Sequence, residues 1–337
     1  MKTAIGLTAA LTLTDAMKDH ADTHAIDLLM VGPLIPEIIA YLEGKYRLHK
    51  WWTIEDKEAF LREHGATVRG IVTSGRFGAT KTLIDSLPAL EVINSFGVGY
   101  DPIDIDAARA RNVVVTNTPG VLDDCVADTA LALILGVSRR IAEADRCVRA
   151  GRWPNEAFGL GRKIGGKRCG IVGLGNIGRQ IAARAEAFGM DIAYYNRRAR
   201  TDVPAHYRYC EDVLSLARES DYLVLALPGG SATKHIVNAE VLKALGSEGY
   251  LINVARGSVV DEAALVQALQ AGDIAGAGLD VFEHEPKTPE ALWSMDNVVL
   301  LPHIASGTHE TRKAMADLVL KNLDGWFATR EVVTQVV

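Results

Sequence analysis

The chain has 337 residues and a formal net charge of −6, from 36 Lys and Arg against 42 Asp and Glu. Hydrophobic residues make up 48% of it, which excludes a disordered, collagen-like or coiled-coil protein and predicts about two globular domains. The acidic balance argues against a nucleic-acid partner, and the lack of any apolar run of about 18 residues argues against a membrane-spanning segment. The 4 cysteines form no CxxC pair, so we expect free thiols, a cytoplasmic protein and no metal site.

Residues 1–25 are an N-terminal extension to which the sequence assigns no function. From residue 26 onward, short apolar runs alternate with segments of helical periodicity. Strands are predicted at 26–31, 69–74, 91–94 and 113–116, and helices near 35–43, 56–63, 80–87 and 102–110. Strands separated by helices indicate βαβ units and a parallel sheet.

A long helix is predicted from about Leu122 to Ala150, just before Gly151 and Pro154. Its first half is apolar on nearly every side, which is typical of a helix buried in one subunit or across an interface. Because this apolar surface exceeds what one domain of such a size covers, we expect a homodimer.

A second alternation of strands and helices follows. Strands are predicted at 168–172, 191–196, 207–210, 221–228, 250–255, 275–281 and 298–302, and helices at 176–188, 239–244 and about 308–328. The fold class is therefore α/β, with two Rossmann-like doubly wound domains built on parallel sheets. We expect a dinucleotide-binding domain at 119–306 and a substrate-binding domain at 26–118 plus 307–337, with the active site in the cleft between them.

A glycine-rich loop directly follows a predicted strand and opens a predicted helix. It consists of Gly173, Leu174, Gly175, Asn176, Ile177 and Gly178. In this context GxGxxG is a dinucleotide-binding fingerprint. Gly173 permits the tight turn, Gly175 lets a pyrophosphate approach the backbone, and Gly178 allows close packing of helix on strand. The N-terminus of the helix offers free N–H groups to the phosphates.

The next predicted strand ends at Asn196, which is followed by Arg197 and Arg198. A site for NAD places an acidic residue at this position, where it binds the ribose 2′-hydroxyl. A neutral amide followed by arginines suits a 2′-phosphate instead. NADP(H) is therefore the predicted cofactor, with NAD(H) as the alternative.

Polar side chains follow three later strands, at the point where each strand ends. Arg256, Asp280 and His303 stand there, and Glu285 follows Asp280 in the same loop. Ligands of doubly wound sheets bind outside the carboxyl ends of the strands. We therefore expect these side chains at the same edge of the sheet as Gly175.

Three of these side chains are the types that reduction of a 2-keto acid by hydride requires. Arg256 would bind the substrate carboxylate with two hydrogen bonds. His303 would protonate the alkoxide that hydride transfer generates, as a general acid. Glu285 would hydrogen-bond the other ring nitrogen of His303, orienting the ring and favouring the imidazolium form.

Several longer motifs resemble those of the D-isomer-specific 2-hydroxyacid dehydrogenases, in the family's order and spacing over about residues 65–325. The motifs are GIVGLGNIG (170–178), NVARG (253–257), GLDVFEHEP (278–286) and LPHIAS (301–306), with VGYD (98–101), NTPG (117–120) and GRW (151–153). The resemblance implies Arg256, Glu285 and His303 as the catalytic set. It also implies pairing of two subunits through the region of the long predicted helix.

The resemblance implies further contacts. For the cofactor, besides the glycine loop and Asn196, they are Leu227, Pro228, Val254, Ala255, Asp280 and Ser306. For the substrate, they are the loop Ser74, Gly75, Arg76 and Phe77, the backbone of Val98 and Gly99, and the side chains of Arg256 and His303. Members of the family often have Thr-Pro where this chain has Gly229, Gly230 and Ser231, and Thr233 remains as an adenine-side contact.

Asn-Arg-Arg (196–198) and TSGRFG (73–78) are similar to the NADPH-dependent glyoxylate/hydroxypyruvate and hydroxyphenylpyruvate reductase branch. This implies reduction of small 2-keto acids, such as glyoxylate and hydroxypyruvate, to D-2-hydroxy acids. One alternative is an NAD-linked dehydrogenase of bulkier or aromatic 2-hydroxy acids. Another is a nucleotide-sensing adaptor like the C-terminal-binding-protein corepressors, which share the Arg/Glu/His set.

Overall fold

The computed structural model describes residues 26–337, so the extension expected at 1–25 lies outside the described residues. Two parallel β-sheets with helices packed on them form the α/β, Rossmann-like architecture that the sequence predicts. The first sheet has 5 strands in the order β2-β1-β3-β4-β5. These are β1 (Asp27–Met30), β2 (Arg47–Lys50), β3 (Val68–Ser74), β4 (Val92–Phe96) and β5 (Val114–Thr116).

Four helices follow the strands of this sheet in the chain. They are α1 (Pro36–Lys45), α2 (Lys57–His64), α3 (Lys81–Asp85) and α4 (Ile105–Ala110). The side chains of Asp56, Thr80 and Asp104 each accept a hydrogen bond from a backbone N–H of the helix that they precede. These caps fix the loops that leave β2, β3 and β4 at the carboxyl edge of the sheet.

The second sheet has 7 strands in the order β12-β11-β10-β9-β6-β7-β8. They are β6 (Arg168–Val172), β7 (Asp191–Tyr195), β8 (Arg208–Cys210), β9 (Tyr222–Leu225), β10 (Tyr250–Asn253), β11 (Gly276–Leu279) and β12 (Val298–Leu300). The chain runs outward from β6 to β8 and then continues on the other side of β6 from β9 to β12. The strand order therefore reverses beside β6, where doubly wound sheets bind their ligands.

The remaining helices are α5 (Asp123–Ser138), α6 (Ile141–Arg149), α7 (Asn176–Ala187), α8 (Val213–Arg218), α9 (Ala239–Leu245), α10 (Glu262–Ala271) and α11 (His309–Thr329). The last of them, α11, leaves the second sheet and packs on β4 and α1. Met315, Val319 and Leu323 form its buried stripe. Within residues 26–337, no helix is long and apolar enough to cross a membrane.

The prediction of one helix from Leu122 to Ala150 is wrong, because the chain breaks it after Ser138. Arg140 adopts a left-handed conformation with φ 54° and ψ 40°, and α6 begins at the next residue. The apolar residues of α5 are buried within the chain against α7, β10 and β11. Four large apolar side chains in the segment after the break are exposed, and they are Ile141, Val148, Trp153 and Leu160.

Three elements have no counterpart in the sequence prediction. Strand β2 is a polar edge strand, Arg-Leu-His-Lys, and has no apolar run that would reveal it. Helix α8 is only 6 residues long. Helix α10 has a capping Asp261 and buried Leu265 and Leu269 at helical spacing, so its sequence does contain a helix signal.

Candidate active site

A cleft of about 820 Å³ lies between the carboxyl edges of the two sheets. The loops after β3 and β4 form one wall, and the loops after β6, β9, β10, β11 and β12 form the other. The structure brings together in these walls the predicted site residues Ser74, Gly75, Arg76, Phe77, Val98, Gly99, Gly175, Asn176, Ile177, Leu227, Pro228, Val254, Ala255, Arg256, Asp280, Glu285, His303 and Ser306.

The glycine loop at the start of α7 has the geometry of a phosphate site. Gly173 has φ 97°, a conformation that other residues rarely adopt. A Cβ on Gly178 would lie 2.2 Å from the carbonyl oxygen of Gly173, whereas a Cβ on Gly175 would meet nothing within 4 Å. No side chain caps the N-terminus of α7. The open space above Gly175 and the uncapped N–H groups therefore fit the pyrophosphate of a dinucleotide.

Asn196 stabilises the glycine loop from the end of β7. Its Oδ1 accepts a hydrogen bond from the backbone N–H of Leu174 at 2.6 Å. The loop is also bonded to β7 through the N–H of Gly173, which donates to the carbonyl of Tyr195 at 2.9 Å. With Oδ1 engaged, the Nδ2 amide group of Asn196 is the part that remains for a ligand.

Four arginines surround this end of the sheet, and they divide into two pairs. Arg179 and Arg200 both donate to Asp202, and the hydrogen bond from Arg200 lowers the pKa of that carboxyl to about 2. Arg197 and Arg198 are exposed, and no residue of the described chain forms an ion pair or side-chain hydrogen bond with either. Of the four arginines, only Arg197 and Arg198 therefore keep their guanidinium groups available to an anion. Both lie outside the cleft walls.

Arg256 extends from the end of β10 across the cleft to the first sheet. Its Nε donates to Oδ1 of Asp101 at 3.1 Å, and its Nη1 donates to the carbonyl of Ala255 at 2.8 Å. Its Nη2 lies where a Cβ on Gly99 would be, 1.4 Å from that position. The missing side chain of Gly99 therefore makes room for the guanidinium group.

His303 and Glu285 form a hydrogen-bonded pair in the cleft wall, with 2.8 Å between Nδ1 of His303 and Oε2 of Glu285. The other oxygen of Glu285 accepts the N–H of Phe282 at 3.1 Å. Burial raises the pKa of Glu285, but the hydrogen bond and charge of His303, with smaller effects from the Phe282 N–H and Arg256, together hold the net pKa below its usual value. Because Nδ1 is bonded to Glu285, Nε2 is the ring nitrogen left to reach a substrate.

Asp280 holds the backbone of the loop that carries His303. Its carboxylate accepts the N–H groups of Ile304 at 2.7 Å and Ala305 at 2.9 Å, and its own carbonyl accepts the N–H of His303 at 2.8 Å. The side chain is fully buried, and this burial raises its pKa. His303 has φ 56°, which is uncommon outside glycine. The hydrogen bonds that Asp280 accepts from this loop therefore hold an unfavourable backbone conformation in place.

The wall from the first sheet offers backbone donors opposite Arg256. The N–H groups of Val98 and Gly99 have no acceptor among residues 26–337. The carbonyl of Val98 accepts a hydrogen bond from the side chain of Asn117 at 2.8 Å, which fixes the orientation of the loop. Ser74 is buried. Arg76 is exposed, and its Cζ lies 5.5 Å from the ring centre of Phe77.

Some predicted site residues lie outside the cleft walls. Leu174 is fully buried beneath the glycine loop. The hydroxyl of Thr233 donates to the carbonyl of Pro228 at 2.8 Å, so it shapes its own loop. In the part of the chain that the structure describes, no group of three or more His, Cys, Asp or Glu is arranged to bind a metal.

Three charged residues of the cleft were not predicted, and they are Asp101, Asp123 and Arg312. Asp101 was visible only as part of the VGYD motif, and its pairing with Arg256 depends on the approach of the two sheets. Arg312 lies on α11 with its Cζ 5.6 Å from the ring centre of Phe96. Its spacing to Met315 and Val319 places it on the apolar stripe of the helix, and a charge on such a stripe is the signal that could have identified it.

Comparison with known proteins gives three close similarities. The family model for the NAD binding domain of D-isomer specific 2-hydroxyacid dehydrogenases matches residues 131–305. Glyoxylate/hydroxypyruvate reductase A of Arabidopsis thaliana is 47% identical over 314 residues, which cover 93% of this chain and 100% of that protein. Hydroxyphenylpyruvate reductase of Plectranthus scutellarioides has the same identity and coverage.

A solved structure is similar over the same length. The NADPH-dependent glyoxylate/hydroxypyruvate reductase of Sinorhizobium meliloti, in complex with NADP and malonate, matches with a TM-score of 0.86 and 46% identity. The match covers 93% of this chain and 97% of that one. The likeness therefore includes both sheets and the cleft between them.

Proposed function

We infer that this chain, which belongs to the D-isomer-specific 2-hydroxyacid dehydrogenases, reduces small 2-keto acids such as glyoxylate and hydroxypyruvate to D-2-hydroxy acids with NADPH. One observation carries the proposal: Arg256 and the Glu285–His303 pair lie in the same cleft as the uncapped N-terminus of α7. A carboxylate-binding cation and a proton donor thus stand beside a dinucleotide site.

A nicotinamide cofactor, when bound, supplies the hydride for the keto carbon. The glycine loop and the N-terminus of α7 would hold its pyrophosphate. The loops that contain Leu227, Val254 and Ala255 would lie along its nicotinamide half, since they line the cleft between the glycine loop and His303. The relative from Sinorhizobium meliloti is described as NADPH-dependent and contains NADP, which supports the same cofactor here.

The substrate carboxylate would be bound by Arg256 together with the N–H groups of Val98 and Gly99. Arg256 is oriented by Asp101, and Gly99 leaves room for its guanidinium group. These donors come from opposite walls, so a carboxylate held by all of them has a fixed position in the cleft. Fixing the position also fixes which face of the keto carbon receives the hydride.

His303 would donate a proton from Nε2 to the keto oxygen as negative charge develops there. Glu285 would stabilise the imidazolium form and keep Nε2 directed into the cleft. We also propose a substrate-binding unit at 26–118 plus 307–337 and a dinucleotide-binding unit at 119–306. With this division, Arg256 and His303 belong to one unit and Val98 and Gly99 to the other.

A second candidate is reduction of aromatic 2-keto acids. The hydroxyphenylpyruvate reductase of Plectranthus scutellarioides is as similar to this chain as the glyoxylate/hydroxypyruvate reductase is. A cleft of about 820 Å³ also has room for a substrate larger than glyoxylate. The observation that favours the small substrates is that two charged pairs, Arg256 with Asp101 and His303 with Glu285, lie in this cleft.

The test is turnover of a panel of keto acids with NADPH and with NADH. Glyoxylate, hydroxypyruvate and hydroxyphenylpyruvate are supplied in turn, and loss of reduced-nicotinamide absorbance is followed. We expect the two small acids with NADPH to give the highest kcat/KM. Highest kcat/KM for hydroxyphenylpyruvate would favour the second candidate, and a higher kcat/KM with NADH would overturn the choice of NADPH. Nucleotide binding without turnover would indicate an adaptor.

A further inference from the structure

Three arginines line the cleft, and their surroundings differ. Arg76 is exposed over the ring of Phe77, and Arg256 is paired with Asp101. Arg312 is half-buried, and no side chain or backbone group in residues 26–337 accepts a hydrogen bond from its guanidinium group. Of the three, Arg312 therefore combines partial burial with the lack of a hydrogen-bonded partner, whereas Arg76 is exposed and Arg256 is paired.

The carboxylate whose charge acts on Arg312 does not accept a hydrogen bond from it. Asp280 contributes a favourable charge to it, but both oxygens of Asp280 already accept backbone N–H groups, from Ile304 and Ala305. Burial lowers the pKa of Arg312, and the charge of Asp280 offsets part of that effect. A half-buried cation without a hydrogen-bonded partner is costly, and a ligand in the cleft would supply the missing acceptor.

The position of Arg312 separates it from the carboxylate site. Arg256 lies against Gly99 and Asp101, whereas Arg312 lies over Phe96, one helical turn before Met315. Phe96 and Met315 also line the cleft. The cleft therefore contains a second cation, apart from the one that would bind the substrate carboxylate.

We propose that Arg312 is a specificity-determining residue, which binds an oxygen-bearing substituent on C3 of the 2-keto acid. The substrate class is then 2-keto acids with a hydroxyl or carboxylate group on C3, in preference to those with hydrogen or alkyl groups there. The proposal rests on the proposed function as a 2-keto acid reductase and specifies its substrate. Phe96 holds the guanidinium plane by a cation–π contact, which limits its motion.

The experiment compares three substrates that differ only beyond C2. Glyoxylate has no C3, pyruvate has a methyl group there, and hydroxypyruvate has a hydroxymethyl group. The variants are Arg312→Met, which keeps length beside Met315, and Arg312→Lys, which keeps the charge. Lys313→Met is the matched control, because Lys313 is the next residue, is exposed and pairs with Asp317.

We expect wild type to prefer hydroxypyruvate over pyruvate, and Arg312→Met to lower kcat/KM for hydroxypyruvate about 10-fold or more, the usual loss for a hydrogen bond to a charged group. The kcat/KM values for pyruvate and glyoxylate should change less than about threefold, Arg312→Lys should recover part of the loss, and Lys313→Met should behave as wild type. Thermal melting of each variant shows whether it is folded. If Arg312→Met does not fold, the ratio of kcat/KM for hydroxypyruvate and pyruvate is compared between wild type and Arg312→Lys instead.

Three results would overturn the role proposed for Arg312 and leave the proposed function intact. They are equal losses with all three substrates, a wild type that does not distinguish pyruvate from hydroxypyruvate, and a weaker affinity for NADPH with an unchanged substrate ratio. A wild type that reduces none of the three acids would overturn the proposed function, and the assignment with it.

Discussion

Oε2 of Glu285 lies 2.8 Å from Nδ1 of His303, and the two residues come from successive loops at the carboxyl edge of the second sheet. Because the two groups interact, each affects the protonation of the other. The positive charge of His303 is one reason that the pKa of Glu285 lies below its usual value. We expect the ionised Glu285 to favour the imidazolium form in turn, which is the form that can donate a proton.

The first prediction concerns the pH profile of keto-acid reduction. Glu285 stays ionised through the neutral range, so reduction should fall only as rising pH removes the proton of His303. In Glu285→Gln the imidazolium loses its counter-charge, and the fall should move to lower pH. The profile of kcat/KM in both proteins checks this, and a fall that stays in place or moves to higher pH would contradict the role of Glu285.

His303→Ala belongs to the same test and should lower kcat about 10²- to 10⁴-fold, the range for loss of a general acid. Arg256→Ala should instead reduce kcat/KM most severely, because it removes the group that binds the substrate carboxylate. Titration with NADPH is the control for both variants, since neither side chain is expected to hold the phosphates.

The second prediction separates two glycines of one loop. In Gly178→Ala the new methyl group would lie 2.2 Å from the carbonyl oxygen of Gly173, so the free energy of unfolding should fall by about 1–3 kcal/mol. In Gly175→Ala the methyl group meets open space, so stability should be kept while NADPH binding weakens. Denaturant unfolding and nucleotide titration of both variants check this. Equal loss of stability in the two would show that Gly175 is also packed.

The third prediction concerns cofactor choice. Arg179 and Arg200 are occupied by Asp202, whereas Arg197 and Arg198 are available for a phosphate. Replacing both available arginines by Ala should raise KM for NADPH about 10- to 150-fold per lost contact and leave KM for NADH nearly unchanged. The ratio of the two KM values is the measurement, and an unaltered ratio would mean that the preference arises elsewhere.

The fourth prediction is a homodimer, formed through α6 and the loop that follows it. Trp153 in this loop is 65% exposed, and Leu160 is 96% exposed. Light scattering should give twice the chain mass of 36.3 kDa at micromolar concentration. Trp153→Ser should shift the protein toward the single-chain mass.

Trp293→Ser is the control for that variant, since Trp293 is also 65% exposed but lies in a different loop. It should keep the dimer. A wild type at the single-chain mass would contradict the prediction, and dissociation of both variants alike would place the interface elsewhere.

The positions of Arg256, Glu285 and His303 could be predicted because the rule behind them is topological. In a parallel sheet, the residues after each strand meet at one edge, so knowing where the apolar strands end is enough. The break at Arg140 could not be predicted in the same way, because arginine is not a residue that marks a left-handed turn. The sequence predicted a dimer from the apolar surface of one long helix. That reason does not hold, because α5 is buried within its own chain.

The partners of Asp101 and Arg312 could not be predicted from the sequence for another reason. Each acts across a gap between elements far apart in the chain, Asp101 on Arg256 and Arg312 on Phe96. Such contacts depend on how two sheets face each other and on the return of α11 to the first sheet. A local sequence pattern does not show which distant elements come together or how they are oriented. These partners could therefore be identified only in the three-dimensional structure.

The amide of Asn196 has a consequence for how cofactor selectivity changes between relatives. Its oxygen is bonded to the N–H of Leu174, and its NH₂ group would face the ribose of the proposed cofactor. An aspartate at this position would still accept the N–H of Leu174 with one oxygen. Its second oxygen would replace the NH₂ group, so a hydrogen-bond acceptor would stand where Asn196 has a donor. The scaffold of the loop and its discrimination between nucleotides are therefore separable traits, and one can drift in evolution while the other is conserved.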